Sequence, residues 1–302
     1  MNSPRILLTG GTGFIGSSLL YSLDQLGFEV MTMCRSEPNN AYQNITWLEA
    51  DLLDAETYET QIAEFSPNIV VHLAWQGLPD YSLNNSLINL SLTIRFLSFV
   101  TRLKSCRKVI VAGSCWEYGN TVGECHEEMS LSPTSYFAWA KNSIRTWLEL
   151  HCEQNKIEYV WLRIFYVYGP GQRPASIVPS ILSSLINKEE PYIQNPFNAN
   201  DYVYIDDVVN AFLISINKSF LSGTYNIGSG KSVRVLEILN LARDLLGNSK
   251  CLPYKDDRFS KDRGGNMDFW ANICKSQTNL GWEPSVELID GISRSLEFLN
   301  NN

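Results

Sequence analysis

The chain has almost nothing from which a metal centre could be built. Its three histidines stand apart at 72, 126 and 151, and no two of its seven cysteines form a C-x-x-C pair. That excludes zinc ribbons and fingers, whose ligands come in closely spaced pairs. An odd cysteine count without framework spacing excludes a disulfide scaffold and suggests free thiols in a reducing compartment. No apolar run approaches the ~20 residues that cross a bilayer, and the first residues lack the basic region and apolar core of a signal peptide. The expectation is a cytoplasmic protein with no membrane partner. Positive charge is scarce too. A formal net charge of -8 over 302 residues argues against nucleic acid as a partner, while leaving room for a local basic pocket. Repeats, charge runs and low-complexity segments are absent. What remains, 44% hydrophobic and 19% charged, is an ordinary globular composition.

Glycine is concentrated at one place. The apolar run Ile6-Leu-Leu-Thr9 passes into glycines at 10, 11, 13 and 16, then into a helical pattern of Ile15, Leu19, Leu23 and Leu26 closed by Gly27. Strand, glycine turn and helix are the context in which G-x-G-x-x-G (Gly11, Gly13, Gly16) signals a dinucleotide site. The glycines let the backbone approach a pyrophosphate, whose charge then sits on free amides at the helix N-terminus. Gly10, Thr12, Gly13, Phe14, Ile15 and Gly16 are therefore candidate cofactor contacts.

Strand and helix patterns alternate through the first half. Strands are predicted at 6–9, 29–33, 46–48, 69–73, 108–112 and 159–163, with helices over 55–65, 84–103 and 135–154. This is the signature of an α/β fold with a Rossmann-like, doubly wound parallel sheet. A turn-forming cluster at 168–174 ends the last strand. Beyond it the pattern predicts a helix over 177–187, a strand at 202–205 and a helix from 206. The tail from 233 reads as two or three helices with a loop at 252–267. Residues 1–170 are thus read as a cofactor domain to which 201–228 returns, and 171–302 as a smaller C-terminal α/β substrate cap. The ligand is expected at the carboxyl ends of the strands.

The end of the second strand selects between coenzymes. An NAD site carries an Asp or Glu there to accept from the ribose 2′-hydroxyl. Here the stretch is Met33-Cys34-Arg35-Ser36, with Glu37 reading as a solvated loop charge. A cysteine cannot replace the carboxylate, whereas Arg35 offers a permanent cation and a fork of donors suited to a 2′-phosphate. NADP(H) is the favoured cofactor. Asp51-Leu52, after the third strand, is placed to receive the adenine amino group, or Asp51 is a helix N-cap. In His72-Leu73-Ala74-Trp75, after the fourth strand, small residues let the cofactor lie against the backbone.

These segments, with Gly113-Ser114-Cys115-Trp116-Glu-Tyr-Gly119, Lys141 and Leu162-Arg-Ile-Phe-Tyr-Val-Tyr-Gly-Pro170, resemble the extended short-chain dehydrogenases/reductases, the NAD-dependent epimerase/dehydratase superfamily. The resemblance extends to Phe269-Trp-Ala and Leu280-Gly-Trp-Glu-Pro284 and so covers nearly the whole chain. It implies a Ser/Thr, Tyr, Lys triad in which the tyrosine exchanges a proton with the sugar oxygen and the lysine holds the nicotinamide ribose. Ser114 matches the serine and Lys141 the lysine. Four residues before Lys141, where one helical face requires the tyrosine, stands Phe137. Tyr136 is five before, roughly 140° away around the helix. Three explanations arise: an inactivating substitution that traps substrate, a natural enzyme using another acid, or a non-catalytic descendant. The intact surroundings favour the first, which implies binding with very slow hydride transfer.

The resemblance also sorts the reactions. Dehydratases of the family carry Asp-Glu after the serine position, where this chain has Cys115 and Trp116. Epimerase-reductases of the GDP-fucose synthase type carry a cysteine and a histidine where this chain has Trp116 and Ser176. A 4-epimerase retains NAD and usually an acidic end to the second strand. By elimination the chain is most similar to NADPH-dependent reductases of NDP-4-keto-6-deoxyhexoses, of the CDP-paratose/abequose and dTDP-sugar type. A nucleotide-diphosphate sugar is the implied substrate. Ser114, Cys115, Trp116, Tyr166, Arg173, Asn200, Tyr202 and Arg263 are its expected contacts. Arg263 matches the arginine that clamps the pyrophosphate, and Asn200 replaces another arginine, whose contact Arg173 is placed to supply. Alternatives are a 4-epimerase with bound NAD and a non-catalytic NADP sensor. The family also implies a homodimer, through the helices at 84–103 and 135–154.

Overall fold

The computed structural model describes residues 4–37, 42–218, 222–247 and 268–301. The first half builds a parallel sheet. Strand β1 (Ile6–Thr9) leads through the glycine turn into helix α1 (Phe14–Gln25), followed by β2 (Val30–Cys34), β3 (Ile45–Glu49), α2 (Glu59–Phe65) and β4 (Ile69–His72). The long helix α3 (Leu83–Val100) precedes β5 (Lys108–Ser114), the short β6 (Gly123–Cys125), α4 (Tyr136–Asn155) and β7 (Glu158–Ile164). Then come β8 (Tyr166–Tyr168), α5 (Ile177–Ile186), β9 (Ala199–Asn200), β10 (Tyr202–Tyr204), α6 (Ile205–Asn217) and β11 (Gly223–Ile227). The chain ends with β12 (Val233–Arg234), α7 (Val235–Leu245), β13 (Asp268–Ala271) and α8 (Leu288–Asn300).

Seven strands run parallel in the order β11-β7-β5-β4-β1-β2-β3. The order reverses between β1 and β4, which opens a crevice beyond their carboxyl ends. The strands are apolar on both faces because helices cover both. Leu7 packs with Phe96, Leu97, Ile144 and Leu148 of α3 and α4. Its neighbours Ile6 and Leu8 turn the other way, toward Leu19 and Leu23 of α1 and Val208 and Phe212 of α6. Burying each such side chain stabilises the fold by about 1.5–3 kcal/mol.

The second lobe is a patchwork. One small sheet pairs β10 with β8, and a second runs β12-β9-β13-β6, with α5, α7 and α8 packed alongside. The tail is therefore not helical alone, as its pattern suggested. Strands of two to four residues whose partners lie far away in sequence leave no local period to read. Two buried carboxylates tie this lobe together. Asp201 accepts from Ser229 N at 2.5 Å, Gly230 N at 2.9 Å and Ala271 N at 3.0 Å. Asp207 accepts from Ser285 N at 2.9 Å and Val286 N at 3.1 Å.

Candidate active site

A cavity of about 530 Å³ opens at the carboxyl ends of β1 to β4. The glycine turn forms its floor, and the geometry requires those glycines. Gly10 has φ +78°, and a Cβ there would lie 2.8 Å from the Ala74 amide nitrogen. A Cβ on Gly16 would lie 2.0 Å from the Gly10 carbonyl oxygen. Helix α1 begins at Gly13 with no side-chain cap and no acidic residue in its first turn. Its first amides therefore face the cavity without an internal acceptor, which is the arrangement that receives a phosphate.

Thr12, Gly13, Phe14, Ile15 and Gly16 line this cavity together with Gly10. Arg35 joins them after β2, Asp51 and Leu52 after β3, and Leu73, Ala74 and Trp75 after β4. Arg35 is exposed and forms no ion pair among the described residues, whereas Cys34 is buried beside it and burial pushes its thiol pKa up. Asp51 holds Leu53 N at 2.9 Å, and the short helix that follows is capped by Asp54 at Glu56 N instead. The same cavity reaches Arg173 and Ser176 in the other lobe. Ahead of Leu73, His72 is locked between Thr9 Oγ1 at 2.8 Å and Thr93 Oγ1 at 3.2 Å. Burial lowers its pKa to about 3, so it is a neutral structural residue.

Lys141 does not line the cavity. Its Nζ donates to the Ala112 carbonyl at 2.8 Å and lies 4.7 Å from the centre of the Trp75 ring. Burial lowers its pKa to about 8, with Glu117 opposing the shift. Phe137 is the neighbour of this group: its ring meets Trp75 edge-on at 4.9 Å, and the Lys141 ammonium is 6.0 Å from its centre. Tyr136 is the first residue of α4, 53% exposed to solvent, so Phe137 occupies the inward position. Trp75 thus joins the cavity at the strand ends to the Ser114, Phe137, Lys141 group.

Ser114 sits at the end of β5 and caps the following turn, its Oγ accepting from Trp116 N at 3.2 Å. That turn is anchored by Glu117. Glu117 is completely buried and accepts from Ser114 N at 2.8 Å, Trp161 Nε1 at 3.0 Å and Arg163 Nε at 3.1 Å. A carboxylate inside a strand-end turn of polar and aromatic residues has no periodic signature, so only its buried cation reveals it. Tyr118 is likewise inside, its hydroxyl donating to Asn226 Oδ1 at 2.8 Å.

The expected substrate contacts divide. Trp116 donates from Nε1 to the Tyr166 hydroxyl at 3.2 Å, and the Tyr166 ring lies 5.9 Å from Tyr202, so these three form one wall with Ser114 at its foot. Asn200 is 7% exposed, with its Oδ1 buried and unpartnered. Cys115 requires a correction. It is 3% exposed and packs with Tyr118, Cys125, Phe165 and Phe269, because the turn after Ser114 rotates it inward while Trp116 points outward. Arg263 lies outside the described residues. No cluster of potential metal ligands occurs among the described residues.

Residues 6–228 match the NAD dependent epimerase/dehydratase family. Among curated relatives, the UDP-glucose 4-epimerase of Mycolicibacterium smegmatis is 27% identical, over 98% of this chain and 99% of its own length. The dTDP-4-dehydro-6-deoxyglucose reductase of Escherichia coli is 26% identical, over 97% and 96%. Among solved structures, UDP-glucose 4-epimerase of Thermotoga maritima, crystallised with UDP-glucose, superposes with a TM-score of 0.86 at 26% identity, covering 98% of this chain and 99% of that one.

Proposed function

Since the chain belongs to the NAD dependent epimerase/dehydratase family, we propose that it is an NADPH-dependent reductase of a nucleotide-linked 4-keto-6-deoxyhexose. The coarser reading, an enzyme that modifies sugar nucleotides, is what its relatives have in common. The finer one is carried by Arg35, a guanidinium without an ion-pair partner among the described residues, on the rim where an NAD site needs a carboxylate. NADP(H) fits the residues present. The uncapped amides of α1 receive the pyrophosphate, Arg35 the 2′-phosphate, and the free oxygen of Asp51 the adenine amino group. When bound, the reduced nicotinamide supplies a hydride. Lys141, whose ammonium donates to Ala112 O, would hold the nicotinamide ribose, and Ser114 Oγ would orient the sugar oxygen. Trp116, Tyr166 and Tyr202 flank the hexose, while Arg173 reaches its diphosphate. Residues 1–170 with 201–228 then form the coenzyme half and 171–302 the sugar-nucleotide half.

Calorimetric titration of both coenzymes tests this reading. Arg35→Ala is expected to weaken NADPH about 10- to 100-fold, the worth of one charge-assisted contact, and to leave NADH almost unchanged. Preference of the unaltered protein for NADH, or NAD released on denaturing it, would instead support the 4-epimerase reading, which the epimerases among its relatives favour.

A homodimer belongs to the same reading. Exposed Leu83, Leu87, Trp139 and Leu150 lie on the adjacent helices α3 and α4, apolar surface that a second copy would cover. Leu87→Glu is expected to shift the sedimentation equilibrium to monomer without changing the circular dichroism spectrum.

A further inference from the structure

The ring at position 137 has no hydroxyl, yet it is enclosed in a way that a simple loss of function does not require. Three aromatic residues surround Phe137: Trp75 with ring centres 4.9 Å apart, Tyr81 at 5.4 Å and Trp116 at 5.8 Å, all edge-on. Tyr81 also meets Trp116 directly at 5.0 Å. Only Tyr81 among the three carries a phenol. The neighbouring phenols are placed differently: Tyr118 donates to Asn226, Tyr166 accepts from Trp116 Nε1 and burial pushes its own phenol pKa up, and Tyr136 faces solvent. The hydroxyl of Tyr81 has no hydrogen-bond partner among the described residues, and its side chain is half-buried at the edge of the wall.

The loop that carries Tyr81 is fixed by buried groups. Asn89, 4% exposed, donates to Gln76 O at 3.1 Å and accepts from Gln76 N at 2.8 Å. Asn85, 8% exposed, donates to Gln76 O at 3.1 Å and to Asp80 O at 2.7 Å. Asp80 N closes the turn onto Gly77 O at 2.7 Å, and Gly77, at φ +79°, has no room for a Cβ against Asn85. Two buried carboxamides of α3 thus clamp one surface connection, which is support that a functional loop needs and a mere linker does not.

We propose that Tyr81 donates the proton that the tyrosine absent from position 137 would have supplied. This rests on the ketoreductase reading above, and selects a natural enzyme using another acid from the explanations open at Phe137. In the step, the carbonyl carbon gains a hydride from the reduced nicotinamide and the C=O π pair moves onto oxygen. The Tyr81 O–H bond breaks as the new O–H bond forms on the sugar, and the phenolate left behind takes a proton from water. The Lys141 ammonium, 6.0 Å from the Phe137 ring centre, brings positive charge to the same pocket.

The test uses Tyr81→Phe, Phe137→Tyr and the double variant, assayed with NADPH and dTDP- or CDP-4-keto-6-deoxyglucose. A second readout needs no turnover: tyrosine difference absorption on adding dTDP-glucose, against dTDP alone. Tyr81→Phe is expected to lose on the order of 100-fold or more in kcat with KM and calorimetric dTDP affinity little changed, which separates proton donation from packing. It should also lose the difference absorption, and Phe137→Tyr in the same background should recover turnover. Wild-type kcat in Tyr81→Phe overturns the proposal, as does turnover that appears only in Phe137→Tyr. If no variant reduces either ketosugar, the ketoreductase reading fails. The absorption then decides by itself: a signal abolished by Tyr81→Phe keeps Tyr81 at the sugar oxygen, and no signal in the unaltered protein removes it.

Discussion

Replacing Glu117 by alanine is expected to lower the free energy of unfolding by about 3–5 kcal/mol, the usual cost of leaving a buried charge unpaired. Glu117 and Arg163 are 0% and 1% exposed, and their ion pair is 3.1 Å long. Arg163 cannot reach water once its partner is gone. Its Nη1 already has no hydrogen-bond partner, and its guanidinium is stacked at 4.5 Å over the Tyr118 ring. The same truncation leaves Ser114 N and Trp161 Nε1 without their acceptor. Glu117→Gln keeps an acceptor for these donors and loses the charge, so its cost should be smaller. Urea unfolding measures both: the midpoint should fall while the slope stays constant. A loss under about 1 kcal/mol for the alanine variant would mean that water enters the turn.

Lys141→Met is expected to stabilise the protein at pH 7 by on the order of 3 kcal/mol while abolishing turnover. The sign follows from linkage. Burial depresses the pKa of Lys141 from 10.5 to about 8 in the folded protein, and unfolding restores it. Below about pH 8 both states hold the proton and the folded state bears the whole cost of a buried ammonium. Between about 8 and 10.5 the unfolded chain binds more protons, so the Lys141 contribution becomes less unfavourable as pH rises. The difference in stability between the variant and the unaltered protein should therefore shrink from pH 8 to pH 10.5, which unfolding at several pH values measures. A difference that is constant with pH would show that methionine changes packing rather than removing a charge. A cation kept at such a cost, against two aromatic rings and one carbonyl, fits a residue retained for chemistry rather than for folding.

The two regions of the molecule were not equally legible. The parallel sheet could be read because each of its strands is a short apolar run between helical periods, and period is local information. The glycine turn that floors the cavity was legible for a related reason. Tight turns demand glycine whatever surrounds them, so Gly10 and Gly16 announce a backbone geometry directly. Arg35 followed from counting along the chain to the end of the second strand. The identity of the inward residue at the head of α4 also followed from helical angles, and the structure places Phe137 inside with Tyr136 out.

By itself, then, the sequence determined the α/β class, the glycine turn after the first strand, the phenylalanine on the inward side of α4 and the family to which the chain belongs. Only the tertiary structure decided that Cys115 turns inward, that Glu117 and Arg163 hold the serine turn, and that Tyr81 meets Phe137. It also decided the four short strands that build the sheet of the second lobe. The physical reason is shared. These features depend on partners tens of residues away, and a buried carboxylate or a phenol on a loop carries no periodic mark until its neighbour is in place.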